Sequence, residues 1–222
     1  MRAMILAAGR GERMMPLTQH TPKPLLIAAG KSLIERIIVR LVSAGITEIV
    51  INHAYLGQKI EDTLGDGAQF GASICYSPEG EKGLETAGGI IRALPLLGKE
   101  PFLVVNADIA TDFPFCTLRE KSIDLAHLIL VSNPIHHPQG DFYLNTDNTL
   151  SSSDSHRLTF SGIGLYAPQL FQQAPKNSTK LAPLLRQAMQ EGRVTGEFFD
   201  GFWMDIGTPT RLEILEKRLL TT

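Results

Sequence analysis

A glycine-containing turn, two cations and two distant carboxylates are the residues here whose types and spacing could do chemistry. The apolar run Ala3-Met4-Ile5-Leu6-Ala7-Ala8 passes into Gly9-Arg10-Gly11-Glu12-Arg13, then Pro16-Leu17-Thr18 and Pro22-Lys23-Pro24-Leu25. Gly9 and Gly11 let the backbone turn and present successive N–H groups, as a loop cradling a phosphate chain requires. Arg13 adds a planar cationic fork, and Lys23 a point charge on backbone fixed by the flanking prolines. Asp108 closes the apolar stretch that begins at Pro101, and Asp205 follows Phe202-Trp203-Met204. Ligands of open α/β sheets bind outside the carboxyl ends of strands, which is where both acids fall. Two separated carboxylates plus substrate phosphates are a usual Mg²⁺ site, because that ion keeps several waters.

The turn is neither of the two common phosphate loops. No Gly-Lys-Ser or Gly-Lys-Thr ends it, and Met14 stands where a dinucleotide fingerprint would need its third glycine. Net charge is −2 over 222 residues, so a nucleic-acid footprint is not expected and anion binding must be local, from Arg10, Arg13 and Lys23. No apolar stretch reaches membrane-spanning length, and the N-terminal run is too short for a signal peptide. A cytoplasmic protein is the expectation, a monomer or small homo-oligomer without membrane or nucleic-acid partners. Cys75 and Cys116 lack metal-ligand spacing and are read as buried free thiols.

The elements that must carry these residues alternate. Ser32-Leu33-Ile34-Glu35 reads as a capping box opening a helix to Ala44, stopped by Gly45. Strands are predicted at 47–53, 73–77 and 101–108, with a polar helix to Leu64 and another over Ala87 to Leu97. This β–α–β order implies a mostly parallel sheet with right-handed crossovers. Later come strands at 126–132, 157–166 and 202–206, a hairpin turning at Asp147-Asn148, a polar and mobile 151–155, and helices over 180–191 and 208–220. One continuous domain, 1–222, is expected, its character changing between a first half (1–110) and a second (111–222).

The full string Leu6-Ala7-Ala8-Gly9-x-Gly11-x-Arg13, Pro16-x-Thr18, Pro22-Lys23-Pro24-Leu25 resembles the signature of the sugar-1-phosphate nucleotidyltransferases. Val105-Asn106-Ala107-Asp108 and Trp203-Met204-Asp205-Ile206-Gly207-Thr208-Pro209 resemble that family's two metal-binding motifs. The resemblance implies a Rossmann-like α/β fold of the GT-A-like nucleotide-diphospho-sugar transferase type, with helices on both sheet faces, 1–110 being the nucleotide-binding half and 111–222 the sugar-phosphate-binding half. It puts Ala8, Gly9, Gly11, Glu12, Arg13 and Lys23 on a nucleoside triphosphate, and Mg²⁺ on Asp108 and Asp205. Catalysis would then rest on Arg13, Lys23 and Asp108. Glu85-Thr86-Ala87-Gly88-Gly89 is similar to the family's turn at the base, which brings in Gly88, but Glu85 replaces the usual glycine. Asn106, Asp141, Gly162 and Glu197 are implied on the sugar phosphate. Echoes such as Gly140-Asp141-Phe142 and Gly192-Arg193-Val194-Thr195-Gly196-Glu197 imply UTP as donor and N-acetylmuramate 1-phosphate as acceptor, in cell-wall sugar recycling. Lys180, opening a helix, is the candidate cation for that acceptor's carboxylate. The alternatives are guanylyl, cytidylyl or another nucleotidyl transfer to a different acceptor such as mannose or glucose 1-phosphate, or a catalytically silent nucleotide-sugar-binding regulatory subunit.

Other polar residues have plainer readings. Adjacent His136 and His137 point apart and lack a third ligand, and His53 reads as packed. Glu48, Glu61 and Asp62 read as solvated element ends. Ser161 has no nucleophile elbow or His/Asp partner, so covalent catalysis is not expected.

Overall fold

The computed structural model describes residues 1–152, 156–172, 174 and 179–221. The polar stretch expected to be mobile therefore lies partly, at 153–155, outside the described residues. In chain order the first half comprises β1 (Arg2–Leu6), the short pair β2 (Ile27–Ala28) and β3 (Lys31–Ser32), α1 (Leu33–Ser43), β4 (Glu48–His53), α2 (Gly57–Leu64), β5 (Ser73–Pro78), α3 (Glu85–Leu97) and β6 (Phe102–Asn106). The second comprises β7 (Ile109–Thr111), β8 (Ala126–Val131), the hairpin β9 (Tyr143–Leu144) and β10 (Leu150–Ser151), β11 (Thr159–Tyr166), α4 (Pro168–Gln172), α5 (Leu181–Gln190), β12 (Val194–Phe198), β13 (Trp203–Asp205) and α6 (Pro209–Thr221).

Seven strands form one sheet in the order β12-β8-β11-β6-β1-β4-β5, all mutually parallel except β11. The chain first builds outward from β1 to β4 and β5, then α3 carries it back to β6 on the other side of β1. That reversal opens a crevice at the carboxyl ends of β1 and β6, the position where α/β sheets bind ligands.

Alternation along buried strands explains why they read as unbroken apolar runs. Ala3 and Ile5 of β1 join a core with Ile34, Ile37, Ile38 and Leu41 of α1 and Ile60 and Leu64 of α2. Met4, between them, points to the opposite face and packs with Ala87, Ile90 and Ala93 of α3 and Leu184 and Leu185 of α5. Helices thus cover both faces, and each large aliphatic side chain so buried contributes about 1.5–3 kcal/mol. The capping box of α1 forms as read: Glu35 N–H donates to Ser32 Oγ at 3.3 Å, and Ser32 N–H to Glu35 Oε2 at 2.6 Å.

The cysteine reading needs correction, because both thiols are exposed. Cys75 belongs to β5, the sheet's edge strand, and with Ser73 it stands exposed on the side of the pleat facing away from Ile74, a side covered only further along, at Ser77. Glu61, read as solvated, instead has Oε1 2.6 Å from His53 Nε2. No helix among the described residues is long and apolar enough to cross a membrane.

One buried group works against the fold. The Tyr166 hydroxyl has no hydrogen-bond partner among the described residues and lies in the core among Phe102 and Phe171, where burial pushes its pKa upward. An unsatisfied buried hydroxyl costs about 1–3 kcal/mol. Tyr166→Phe is therefore expected to raise the urea midpoint, by about 1 kcal/mol in unfolding free energy. A loss of stability in that titration would show that the hydroxyl has a partner in solution.

Candidate active site

A cavity of about 780 Å³ occupies the crevice, lined by residues 6–14, Lys23, Asn52, Tyr55, Asn106 to Asp108, Gly207 and parts of the segment 79–86. The phosphate-type turn is its rim. Gly11 sits at φ 69°, and a Cβ there would press on Thr18 Cγ2 at 3.0 Å and Lys23 Cβ at 3.1 Å. Only glycine combines that left-handed backbone with that close approach. Buried Thr18 holds the turn by donating from Oγ1 to the Gly11 carbonyl at 2.8 Å. Gly9 differs: a Cβ there would touch nothing, so its missing side chain leaves room rather than relieving strain. Arg13 is exposed and makes no hydrogen bond or ion pair with described residues, so its fork is available to an anion.

The second feature is a chain of charges at the strand ends. Lys23, buried between its prolines, pairs through Nζ with Asp108 Oδ2. β13 pairs with β7 so that Asp205 lies opposite Ile109, and Ile206 N–H donates to the Asp108 carbonyl at 2.7 Å. Two acids far apart in the sequence thereby become neighbours. The partner of Asp205 is a residue sequence reasoning missed: Arg211 Nη1 donates to its Oδ1 at 2.8 Å, and His136 Nε2 lies 3.0 Å from the same oxygen. Trp203 braces this strand, donating from Nε1 to the Ser161 carbonyl at 2.8 Å.

One oxygen of each carboxylate, Asp108 Oδ1 and Asp205 Oδ2, has no partner among the described residues. Such a donor set, two hard oxygens completed by substrate phosphates and water, suits Mg²⁺. No group of three or more His, Cys, Asp or Glu among the described residues is arranged to hold a metal alone.

At the other wall, Asn52 accepts the Ala7 N–H at 2.9 Å and donates to Glu79 Oε1 at 2.6 Å, while Glu79 Oε2 accepts the Leu84 N–H at 2.6 Å. This buried relay ties the ends of β1, β4 and β5 to the start of α3. A side chain at Gly89 would collide with Glu79 and Asn52, so that glycine makes room for the relay. Glu85, where the resembled motif has glycine, keeps the left-handed conformation at φ 60° and lines the cavity with Thr86. Gly88 lies further into the helix against Leu84 and Thr179.

The residues assigned to the sugar phosphate divide. Gly162 occupies a bulge of β11 at φ 79°, and a Cβ there would lie 2.5 Å from Asn106 Nδ2, so these two are in contact and Asn106 faces the cavity. Asp141 accepts the Phe160 N–H at 2.8 Å through Oδ2, with His137 Nε2 3.2 Å from Oδ1. The two adjacent histidines do point apart, one to each acid. Lys180 is exposed at the start of α5 and does not line the cavity; its neighbour Thr179 accepts the Ala87 N–H at 2.8 Å. Ser161 donates to the Ile129 carbonyl at 2.7 Å, a structural use.

Glu197 also lies off the cavity, paired with Lys121 and 3.3 Å from buried His127. Burial, then the charge of Lys121, push the His127 pKa below its ordinary value, with Glu197 opposing. The unfolded chain therefore binds that proton more readily, so the stability His127 contributes is complete above about pH 6.5 and declines as pH falls toward the folded-state pKa. His127→Asn should show a flatter fall in melting temperature between about pH 7.5 and 5.5. Parallel profiles for the two proteins would contradict this.

Residues 2–142 match the nucleotidyl transferase family. An N-acetylmuramate alpha-1-phosphate uridylyltransferase of Neisseria meningitidis serogroup B is 54% identical over 221 residues, covering 96% of each chain. The enzyme of that name from Caulobacter vibrioides is 34% identical over 233 residues, covering 98% of this chain and 96% of that one. In three dimensions HddC from Yersinia pseudotuberculosis, crystallised with GMP-PN, matches with a TM-score of 0.80 over 98% of this chain and 99% of that one. At 18% identity that likeness speaks for the fold alone, the GT-A-like fold of nucleotide-sugar transferases. With the family match spanning the phosphate turn and Asp108, and near-full-length relatives extending it through Asp205, this chain belongs to the nucleotidyl transferase family, among its sugar-1-phosphate nucleotidyltransferases.

Proposed function

We propose that the protein joins UTP to N-acetylmuramate 1-phosphate, releasing pyrophosphate, and that Asp108 and Asp205 hold the Mg²⁺ the reaction needs. What carries the reading is the meeting of Lys23, Asp108 and Asp205 beside a phosphate-type turn, in a chain 54% identical to a uridylyltransferase of that sugar phosphate. The sugar's phosphate monoester has a second pKa of about 6, so its attacking oxygen is ionised at neutral pH and no general base is required. That oxygen attacks the α-phosphorus of UTP, and pyrophosphate leaves in line. The obstacle is repulsion between polyanions. Arg13 binds the triphosphate with the N–H groups of the turn, Lys23 adds charge held in place by Pro22 and Pro24, and Asn106 against Gly162 orients the acceptor. Bound Mg²⁺ would supply further charge neutralisation at the phosphates. A silent sensor would need neither both carboxylates nor the lysine.

The test is a matrix of UTP, GTP, CTP and dTTP against hexosamine and hexose 1-phosphates, following pyrophosphate release. The UTP and N-acetylmuramate 1-phosphate pair is expected to be fastest. A higher kcat/KM with N-acetylglucosamine 1-phosphate or mannose 1-phosphate would refute the acceptor assignment.

A further inference from the structure

Arg211 is more than the counter-ion of Asp205. Its side chain is 14% exposed, Nη1 is bound to Asp205 and also meets the His136 ring, and Nε is buried with no hydrogen-bond partner among the described residues. A donor left so is costly unless something else satisfies it. Its Nη2 occupies the space a side chain at Gly207 would fill, and the same point lies 3.3 Å from Arg13 Nη2. Gly207 and Arg13 line the cavity and Arg211 lies against Gly207, so two guanidinium groups end beside one wall of it, and one of them, Arg13, has no anionic partner among the described residues. Like charges gathered this closely repel unless an anion lies between them. Paired guanidinium forks match phosphate oxygens in geometry as well as charge.

We propose that Arg211 and Arg13 together form the clamp for the pyrophosphate portion of the nucleoside triphosphate, and that Arg211 is a catalytic residue neutralising the leaving group. The inference rests on the proposed reaction for the identity of the anion. The monophosphate of the sugar is the other possible source, and placement separates them: Arg13 belongs to the turn after β1, whereas Asn106 and Gly162 meet between β6 and β11. Gly207 is glycine, on this view, because any side chain would evict the Arg211 fork from the wall.

The experiment is titration calorimetry of metal-free protein in EDTA, with inorganic pyrophosphate and, separately, N-acetylmuramate 1-phosphate. Arg211→Met is expected to weaken pyrophosphate binding at least tenfold while sugar-phosphate affinity stays within twofold, and Arg211→Lys should fall between. Arg211→Gln, which keeps a donor for Asp205, serves if Arg211→Met does not fold by circular dichroism. Pyrophosphate affinity within twofold of the parent protein overturns the proposal. So does a loss confined to the sugar phosphate, or a loss that vanishes in an Asp205→Asn background, where Arg211 would be acting only through Asp205. Because these readouts need no turnover, failure to form a nucleotide sugar would count against the proposed reaction and leave the clamp standing or falling on its own data.

Discussion

Lys23→Met should leave a folded protein whose turnover at saturating substrates and Mg²⁺ is lower by about 10²–10³. Methionine keeps the reach of the side chain, and Pro22 and Pro24 still fix the backbone, so only the charge is removed. That charge has two duties. It neutralises Asp108 through the Nζ–Oδ2 pair, and it lines the same cavity as the turn proposed to receive the triphosphate. Losing one preorganised charge from a partly water-excluded site removes stabilisation that solvent cannot replace. Steady-state kinetics with saturating magnesium decide the matter, and an unchanged kcat would remove Lys23 from the reaction.

Asp108→Asn and Asp205→Asn are each expected to abolish nearly all activity, with the double variant scarcely slower than either. The β7–β13 pairing sets Asp205 opposite Ile109, the residue after Asp108, and each acid has one oxygen unpartnered among the described residues. If they share one ion, the first substitution destroys its placement and the second has little left to remove, so the losses do not multiply. Sequence alone suggests that two facing carboxylates would repel in the metal-free protein, so that their removal would leave stability unchanged or higher. The structure changes that expectation, because each acid already has a cation, Lys23 for one and Arg211 for the other. Each single variant should therefore melt lower than the parent. Kinetics of both singles and the double read the coupling: multiplicative losses would mean separate roles, and a nearly active single variant would exclude that residue from the metal site.

The strand-end acids were legible because the chain announces them. An apolar run that stops at an acid, as in Val104-Val105-Asn106-Ala107-Asp108, cannot hide the charge within the sheet and must present it at the edge. The capping box at Ser32, the glycine stop at Gly45 and the Gly11 turn were equally local, and all three form. What stayed illegible depends on how the chain folds back on itself rather than on any local pattern. Arg211 looks like any solvated helix arginine until β13 brings Asp205 beside it, and Glu79 like a loop acid until Asn52 closes the relay. The exposed Cys75 thiol follows from β5 being an edge strand, which strand order alone decides. Likewise, no periodicity indicates that β11 inserts antiparallel between β6 and β8 and carries Gly162 to Asn106.

The most direct test of uridylyl transfer is ³¹P NMR of the protein with UTP, N-acetylmuramate 1-phosphate and Mg²⁺. Equal amounts of inorganic pyrophosphate and a sugar-nucleotide diphosphate diester should appear together, only when the sugar phosphate is present, and not when EDTA replaces the magnesium. UTP breakdown to UMP at a rate indifferent to the sugar phosphate, or diester formation at full rate in EDTA, would contradict it.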